Sequence, residues 1–230
     1  MTGYPIRESA DVVRESLALP GARALDVGCG DGAVVRLMTR AGATAIGLEI
    51  SEGQLARARA EELAGGETYR VGRAEALPFE DGSFDIVVFF NSLHHVPVEV
   101  QDQGLAEAAR VLKSGGQLLI LEPLAEGAMF ELLRPVDDET EVRDAAYGAL
   151  KRAAAGPDFE EVGEESFATV YAYASFEVFK DSILQVDQSR RAAFEQHEDA
   201  LRDGFERTAA RTDKGYCFTH PKRLNLLKRL

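Results

Sequence analysis

The sequence predicts an α/β fold: a doubly wound, mostly parallel β-sheet with helices on both faces. Three observations carry the prediction. Short runs rich in Val, Ile, Leu and Phe alternate with longer Ala/Arg/Glu/Leu segments through the first half of the chain. Those short runs are near-continuously apolar, as strands covered on both faces are. A turn carrying Gly28, Gly30 and Gly32 joins the first run to the first helical segment, at the carboxyl end of a strand, where such sheets bind ligands.

Taken in order, the strands are expected at Ala22–Val27, Ala43–Leu48, Glu67–Val71, Phe84–Phe90 and Gln117–Glu122. The helices between them are expected at Ala33–Ala41, Gln54–Ala64 and Val98–Leu112, with a weak helical turn after Ala74. Ser51 is placed to cap the second of these helices. Each crossover between parallel strands should be right-handed. After Pro123 the pattern changes. Val136–Ala154 reads as a helix with an acidic first turn, stopped by Gly156-Pro157. Ser166–Tyr173 is a strand, Phe176–Arg211 a helical insertion, and Gly215–Thr219 a last short strand. The basic tail from Pro221 is expected to complete a surface helix. The whole chain, residues 1–230, is read as one domain, with 176–211 as an insertion or lid within it.

Composition narrows the function. The chain has 230 residues, 39 acids against 26 bases, a formal charge of −13, two cysteines and no tryptophan. With 45% hydrophobic and 28% charged residues it can bury a core. Its acidity excludes sequence-independent nucleic-acid binding. No apolar run reaches membrane-spanning length, and the first residues lack a signal peptide's apolar centre, so a cytoplasmic location is expected. Cys29 and Cys217 stand alone, so neither a disulfide framework nor a metal site is expected. The charge is uneven: −8 over residues 1–135, −10 over 136–213, and +5 over the tail.

The segment ALDVGCGDGAVVRLM, residues 24–38, carries the most chemistry. Glycines allow close backbone approach by a ligand, and the helix start beyond them offers unpaired N–H groups. Gly28-x-Gly30-x-x-Ala33 formally satisfies the dinucleotide fingerprint. Asp26, however, would repel a pyrophosphate and suits a ligand bearing an ammonium group. Glu49 ends the second strand 21 residues past Gly28, the distance at which an acid accepts hydrogen bonds from ribose hydroxyls.

Four stretches, LDVGCGDG at 25–32, GLEIS at 47–51, RAEALPFEDGSFDIVVFFNSLHHV at 73–96 and RVLKSGGQLLILEP at 110–123, together resemble the class I S-adenosylmethionine-dependent methyltransferases, in particular the small-molecule group called type 11. The resemblance covers about the first 125 residues. It implies a seven-stranded sheet whose last strand is antiparallel, S-adenosylmethionine as cofactor and S-adenosylhomocysteine as product. It implies that Asp26 lies near the methionine end, lined by the backbone of Gly28, Cys29 and Gly30, and that Glu49 holds the ribose. Ile50 and Gln54 would flank the adenine, Ala74 and Glu75 would edge it, and Asn91 would contribute backbone near the methionine amino group. Arg73 departs from the pattern, which often has an acid there to contact the adenine amino group. Arg cannot accept that hydrogen bond, whereas Ala74 backbone or the Glu75 carboxylate can.

Methyl transfer needs in-line alignment and, for an acceptor with a proton to lose, a base. His94 and His95 follow the fourth strand and are the catalytic candidates, with adjacency letting one of them face the cavity. The substrate-side candidates are Glu122, at the end of the fifth strand, with Tyr4, Tyr171, Tyr173 and His197. Tyr171 and Tyr173 share one strand face. Phe194, His197, Leu201, Phe205 and Thr208 recur at helical spacing and predict one amphipathic helix. The partner is a small-molecule acceptor whose N, O or C atom is left open, as is the oligomeric state. Two other readings stay open: a non-catalytic S-adenosylmethionine-binding protein, and a nicotinamide-dependent oxidoreductase.

Overall fold

The computed structural model describes residues 3–230. Its elements, in chain order, are α1 Ser9–Ser16, β1 Arg23–Val27, α2 Ala33–Arg40, β2 Thr44–Glu49, α3 Glu52–Ala60, β3 Thr68–Val71 and β4 Phe84–Phe90. There follow α4 Gln101–Val111, β5 Leu112–Pro123, α5 Ala128–Leu133, α6 Thr140–Ala154 and β6 Phe159–Tyr173. The chain ends with α7 Phe176–Val186, α8 Arg191–Gln196, α9 Glu198–Thr208, β7 Ala210–Thr212 and β8 Gly215–Arg229. The sheet order is β3-β2-β1-β4-β5-β8-β6, with β7 paired to β8. β1, β2, β3, β4 and β5 are parallel, and the C-terminal strands are antiparallel. The α/β, doubly wound fold class is therefore as expected.

The chain divides into two compact units. The larger comprises Ser9–Glu122, Val142–Glu165 and Arg223–Leu230. Its core joins Leu25, Ile46, Phe84, Val87, Phe89, Leu118 and Ile120 of the strands with Leu105 and Ala108 of α4 and Ala146, Ala149 and Leu150 of α6. The alternation Leu118, Ile120 turns one face of β5 toward α6. Ser51 caps α3, accepting from the Gln54 amide at 3.3 Å. The segment after β3 is a turn closed by Ala76 N–H to the Arg73 carbonyl, in place of the weak helical turn. Arg110 of α4 pins the loop beyond it, donating to the Leu77 and Phe79 carbonyls at 3.0 and 2.8 Å and to Glu107 and Asp81. The Leu77 amide in turn donates to Glu107 at 2.8 Å.

The smaller unit comprises the residues through Glu8, Pro123–Glu141 and Ser166–Lys222. Phe176, Phe179, Phe194, Phe205, Phe218 and Tyr173 form its aromatic core. Ring pairs such as Phe179–Phe205 at 5.1 Å and Tyr173–Phe179 at 5.2 Å add edge and offset attractions to the buried area. The segment at Ile6 makes a parallel bridge to Ala168 of β6. Arg190 ties the insertion down through Asp137 and Glu139, both at 2.7 Å.

Several expectations are corrected. The basic tail is the strand β8, not a helix: Lys222, Leu224, Asn225 and Leu227 are all buried, as befits a strand lying between β5 and β6. β6 begins at Phe159, seven residues before Ser166. The predicted helix from Val136 starts at Thr140, α5 precedes it, and α1 was not expected. The amphipathic stretch is two helices broken at His197, although Phe194, Leu201 and Phe205 are buried as its pattern required. Among the described residues no helix is long and apolar enough to cross a membrane. Cys29 and Cys217 are both free and buried.

Candidate functional site

The site candidates of the larger unit gather at the carboxyl ends of β1, β2, β4 and β5. The turn after β1 is folded by two amides: Gly28 and Cys29 both donate to the Leu48 carbonyl, at 2.8 and 3.0 Å. Gly28 has φ +73°, and a Cβ there would sit 2.6 Å from Ser92 Cβ, so only glycine fits between the two turns. Gly30 has φ +54°, but an added Cβ would meet nothing within 4 Å. Backbone is thus exposed at Gly30 toward space a ligand can enter.

Glu49 closes over this turn. Its Oε2 accepts from the Gly30 amide at 3.0 Å, and its Oε1 accepts from the Ile50 and Ser51 amides at 2.8 and 2.9 Å. Three amides orient the carboxylate, which has acceptor sites for about four hydrogen bonds. Asp26, at 1% exposure, lies beneath. Its Oδ1 is sealed from solvent without a hydrogen-bond partner. Burial, reinforced by Glu49 and Asp31, pushes its carboxyl up to about 8. Cys29 packs against Gly47, and burial followed by the charges of Asp26 and Glu49 raises its thiol. That thiol is a packing group, not a nucleophile.

At the end of β4, Asn91 is the one non-glycine residue with positive φ among those described, at +51°. Its amide donates to Leu121 at 2.7 Å, while its side-chain Oδ1 is buried and unpartnered. β1 and β4 are neighbours in the sheet, so two orphaned acceptors, Asp26 Oδ1 and Asn91 Oδ1, mark adjoining strand ends. Buried acceptors left unmade are costly. Their chemistry calls for a cationic donor with several N–H groups, which an amino-acid ammonium has. The fit to S-adenosylmethionine thus rests on these two atoms, the open Gly30 turn and the Glu49 carboxylate. Ile50 is exposed and Gln54 begins the body of α3. Ala74 is buried. Glu75 is paired with Arg73 at 3.5 Å and its carbonyl accepts from Gln103 at 2.9 Å. Arg73 is therefore an exposed partner of the acid beside it.

Ser92, His94 and Glu122 form a second cluster, which the sequence did not join. The β4–β5 register pairs Phe90 with Leu121, which brings Glu122 beside the turn after β4. Glu122 Oε1 accepts from the Ser92 and Leu93 amides at 3.0 and 2.8 Å. Its Oε2 meets His94 Nδ1 in a short contact. Ser92 Oγ donates to the Val27 carbonyl at 2.6 Å, fastening this turn to the cofactor-side turn. His94 is buried and His95 exposed, their rings 4.0 Å apart. A cavity of about 440 Å³ in the same unit, lined by Ile86, Lys113 and Leu227, opens at the other ends of β4 and β5 and holds none of these groups.

In the smaller unit Tyr171 is half-buried and its hydroxyl accepts from Lys222 Nζ at 3.1 Å. Tyr173 lies in the aromatic core, and burial pushes its phenol up to about 12. Tyr4 is half-buried, and His197 sits at the break between α8 and α9.

Residues 25–120 match the family model described as a methyltransferase domain. A ubiquinone biosynthesis O-methyltransferase of Hahella chejuensis is 40% identical over 111 residues, 47% of this chain and 46% of that protein. The chain spans about half the length of the curated relatives it matches. Among solved structures, the YcgJ protein of Bacillus subtilis superposes with a TM-score of 0.65 at 21% identity, covering 96% of this chain and 97% of that one. The [4+2]-cyclase SpnF superposes with a TM-score of 0.66 at 21% identity, covering 98% and 86%. These likenesses concern the fold, which by itself does not fix a reaction. The motif order, the matched segment and the sheet topology together support a class I S-adenosylmethionine-dependent methyltransferase.

Proposed function

We propose that the protein transfers a methyl group from S-adenosylmethionine to a hydroxyl oxygen of a small-molecule acceptor, releasing S-adenosylhomocysteine. The observation that carries the choice of a proton-bearing acceptor is the buried His94–Glu122 pair at the end of β4. The cofactor, when bound, supplies a methyl group already activated on a sulfonium. Asp26 and Asn91 would hold its ammonium, and Glu49 its ribose hydroxyls. Glu122 is anchored by two amides on one oxygen and accepts from His94 Nδ1 with the other. With Nδ1 donating to Glu122, Nε2 is the imidazole's acceptor atom, the tautomer a general base needs. His94 takes the acceptor's proton as its oxygen is methylated, and burial keeps competing water away from the ring. The O-methyltransferase names among the relatives support an oxygen acceptor. Tyr4, Tyr171 and His197 are the acceptor-side candidates of the smaller unit, with residues 176–211 as its variable part. The dinucleotide reading is set aside, because Asp26, Asp31 and Glu49 surround this turn with acids, which opposes a pyrophosphate.

The test incubates the full chain with methyl-labelled S-adenosylmethionine and a panel of hydroxyl-bearing compounds, read by mass spectrometry. A labelled product one methylene heavier than its acceptor is expected. His94→Gln should lower kcat by about a hundredfold or more while leaving S-adenosylhomocysteine affinity unchanged. Binding without transfer to any acceptor overturns the catalytic reading. An unchanged kcat in His94→Gln removes His94 as the base.

A further inference from the structure

The part of β8 that belongs to the larger unit, from Arg223 on, holds against α6 a cation that the site described so far does not use. Arg223 lies on β8, next to β5 in the sheet. Its guanidinium is stacked on the Tyr147 ring of α6, with Cζ 3.3 Å from the ring centroid. Its Nε is sealed from solvent with no hydrogen-bond partner. Among the described residues no hydrogen bond or ion pair engages any of its nitrogens. The neighbouring groups are already committed: Glu164 accepts from Asn225 Nδ2 at 2.7 Å and from the Tyr147 hydroxyl at 3.1 Å. Glu122 is held by its two amides and His94. Burial pulls the guanidinium below the ordinary arginine value, against the opposing influence of Tyr147, Glu164, Glu122 and Asp144.

The position relates this arginine to the chemistry. Strand alternation places Leu118, Ile120 and Glu122 of β5 on the α6 face, and Arg223, Asn225 and Leu227 of β8 on that same face. Arg223 is thus a neighbour, across one strand pairing, of the carboxylate that orients His94. A guanidinium has five N–H donors in a planar fork and cannot shed its charge, so half-burying it without an acceptor is unfavourable. Stacking on Tyr147 fixes the plane of the fork. A fixed, donor-rich plane matches a carboxylate, which takes two parallel hydrogen bonds.

We infer that Arg223, held flat by Tyr147, is the recognition residue for a carboxylate on the acceptor. The inference rests on the methyltransferase reading of the site and names the acceptor class: a hydroxyl-bearing carboxylic acid. Arg223 binds and positions this group and takes no part in moving a proton.

The experiment measures binding of protocatechuate, and of catechol as its uncharged counterpart, to the full chain saturated with S-adenosylhomocysteine. Arg223→Gln and Arg223→Lys are measured beside the native protein. The native chain should prefer protocatechuate to catechol by more than tenfold, the effect of one charge-assisted hydrogen-bonded pair. Arg223→Gln should abolish that preference and leave catechol and S-adenosylhomocysteine affinities unchanged. Arg223→Lys should keep part of it, having charge without the fork. The Gln variant's melting temperature separates lost recognition from lost folding, and should Gln fail to fold, Arg223→Lys carries the comparison. If S-adenosylhomocysteine binds but the carboxylate preference is absent, or survives in the Gln variant, the assignment to Arg223 is overturned. If S-adenosylhomocysteine does not bind the native chain, the methyltransferase reading itself has failed.

Discussion

Asp26 shows how one residue sets folding against binding. Its carboxyl, pushed up to about 8 by burial and by the nearby acids Glu49 and Asp31, holds a proton at neutral pH in the cofactor-free protein. An ammonium ligand needs the carboxylate, so binding releases that proton. The affinity for S-adenosylhomocysteine should therefore rise about tenfold per pH unit below 8 and level off above it. Calorimetry in buffers of different ionisation enthalpy would show the proton release, and a flat affinity between pH 6.5 and 8.5 would refute it. The stability effect has the opposite slope. A carboxyl raised in the folded state binds more protons there than in the unfolded chain from about pH 4 to about pH 8, so folding stability falls across that window. Asp26→Asn should then melt higher than the native protein at pH 8, by a margin that grows from about pH 4 to about pH 8 and levels off above it, yet bind cofactor more weakly. Gly30 makes the converse case. Its φ of +54° costs an alanine about 1–2 kcal/mol, but no atom opposes the new Cβ. Gly30→Ala should lose only that much stability in urea unfolding, while cofactor affinity falls by more than tenfold because the methyl fills ligand space.

At the scale of elements, the strands of the first half were legible because each is an apolar run between helix-like segments. β8 was not. Pro221 and four cations suggested a surface segment, but a strand between two others buries both faces and can enclose Lys222 and Asn225 once Tyr171 and Glu164 partner them. The first half of β6 was missed because its run of glutamates reads as a solvated face, which an edge strand in fact presents. The cofactor-side residues were legible since a turn and a strand end are local features. The Glu122–His94 partnership was not, because it depends on which residue of β5 stands opposite Phe90. Arg110 is the element-scale counterpart, one α4 side chain holding the loop that follows Ala74–Glu75. Arg110→Met would leave the Leu77 and Phe79 carbonyls without that donor and should destabilise the protein by about 1–3 kcal/mol. Urea unfolding with an unchanged midpoint would show that solvent replaces the clamp at no cost.

Over the whole molecule the acid excess has a partly structural use. In the smaller unit Glu177, Glu198, Asp137 and Glu139 are ion-paired to Arg202, Lys180 and Arg190, so the −10 of residues 136–213 is not simply a surface field for a cationic acceptor. The two units have separate cores: aliphatic strands and helices in the larger, a cluster of phenylalanines in the smaller. Every residue assigned to the cofactor belongs to the larger unit, while of the proposed acceptor selectors Arg223 belongs to the larger unit and Tyr4, Tyr171 and His197 to the smaller. Damage to the smaller core should therefore separate the two halves of the reaction. Phe205 is fully buried and touches Phe176, Phe179 and Phe218. Phe205→Ala should cost about 3–5 kcal/mol of stability in that unit. Measured well below its melting point, the variant should bind S-adenosylhomocysteine within about twofold of the native affinity, since Phe205 belongs to a core that shares no residue with the cofactor-side core. Methyl transfer, which needs the acceptor held as well, should fall sharply. A cofactor affinity that weakens in step with the lost stability would instead mean that the cofactor turn depends on the phenylalanine core, and the division of labour between the units would be wrong.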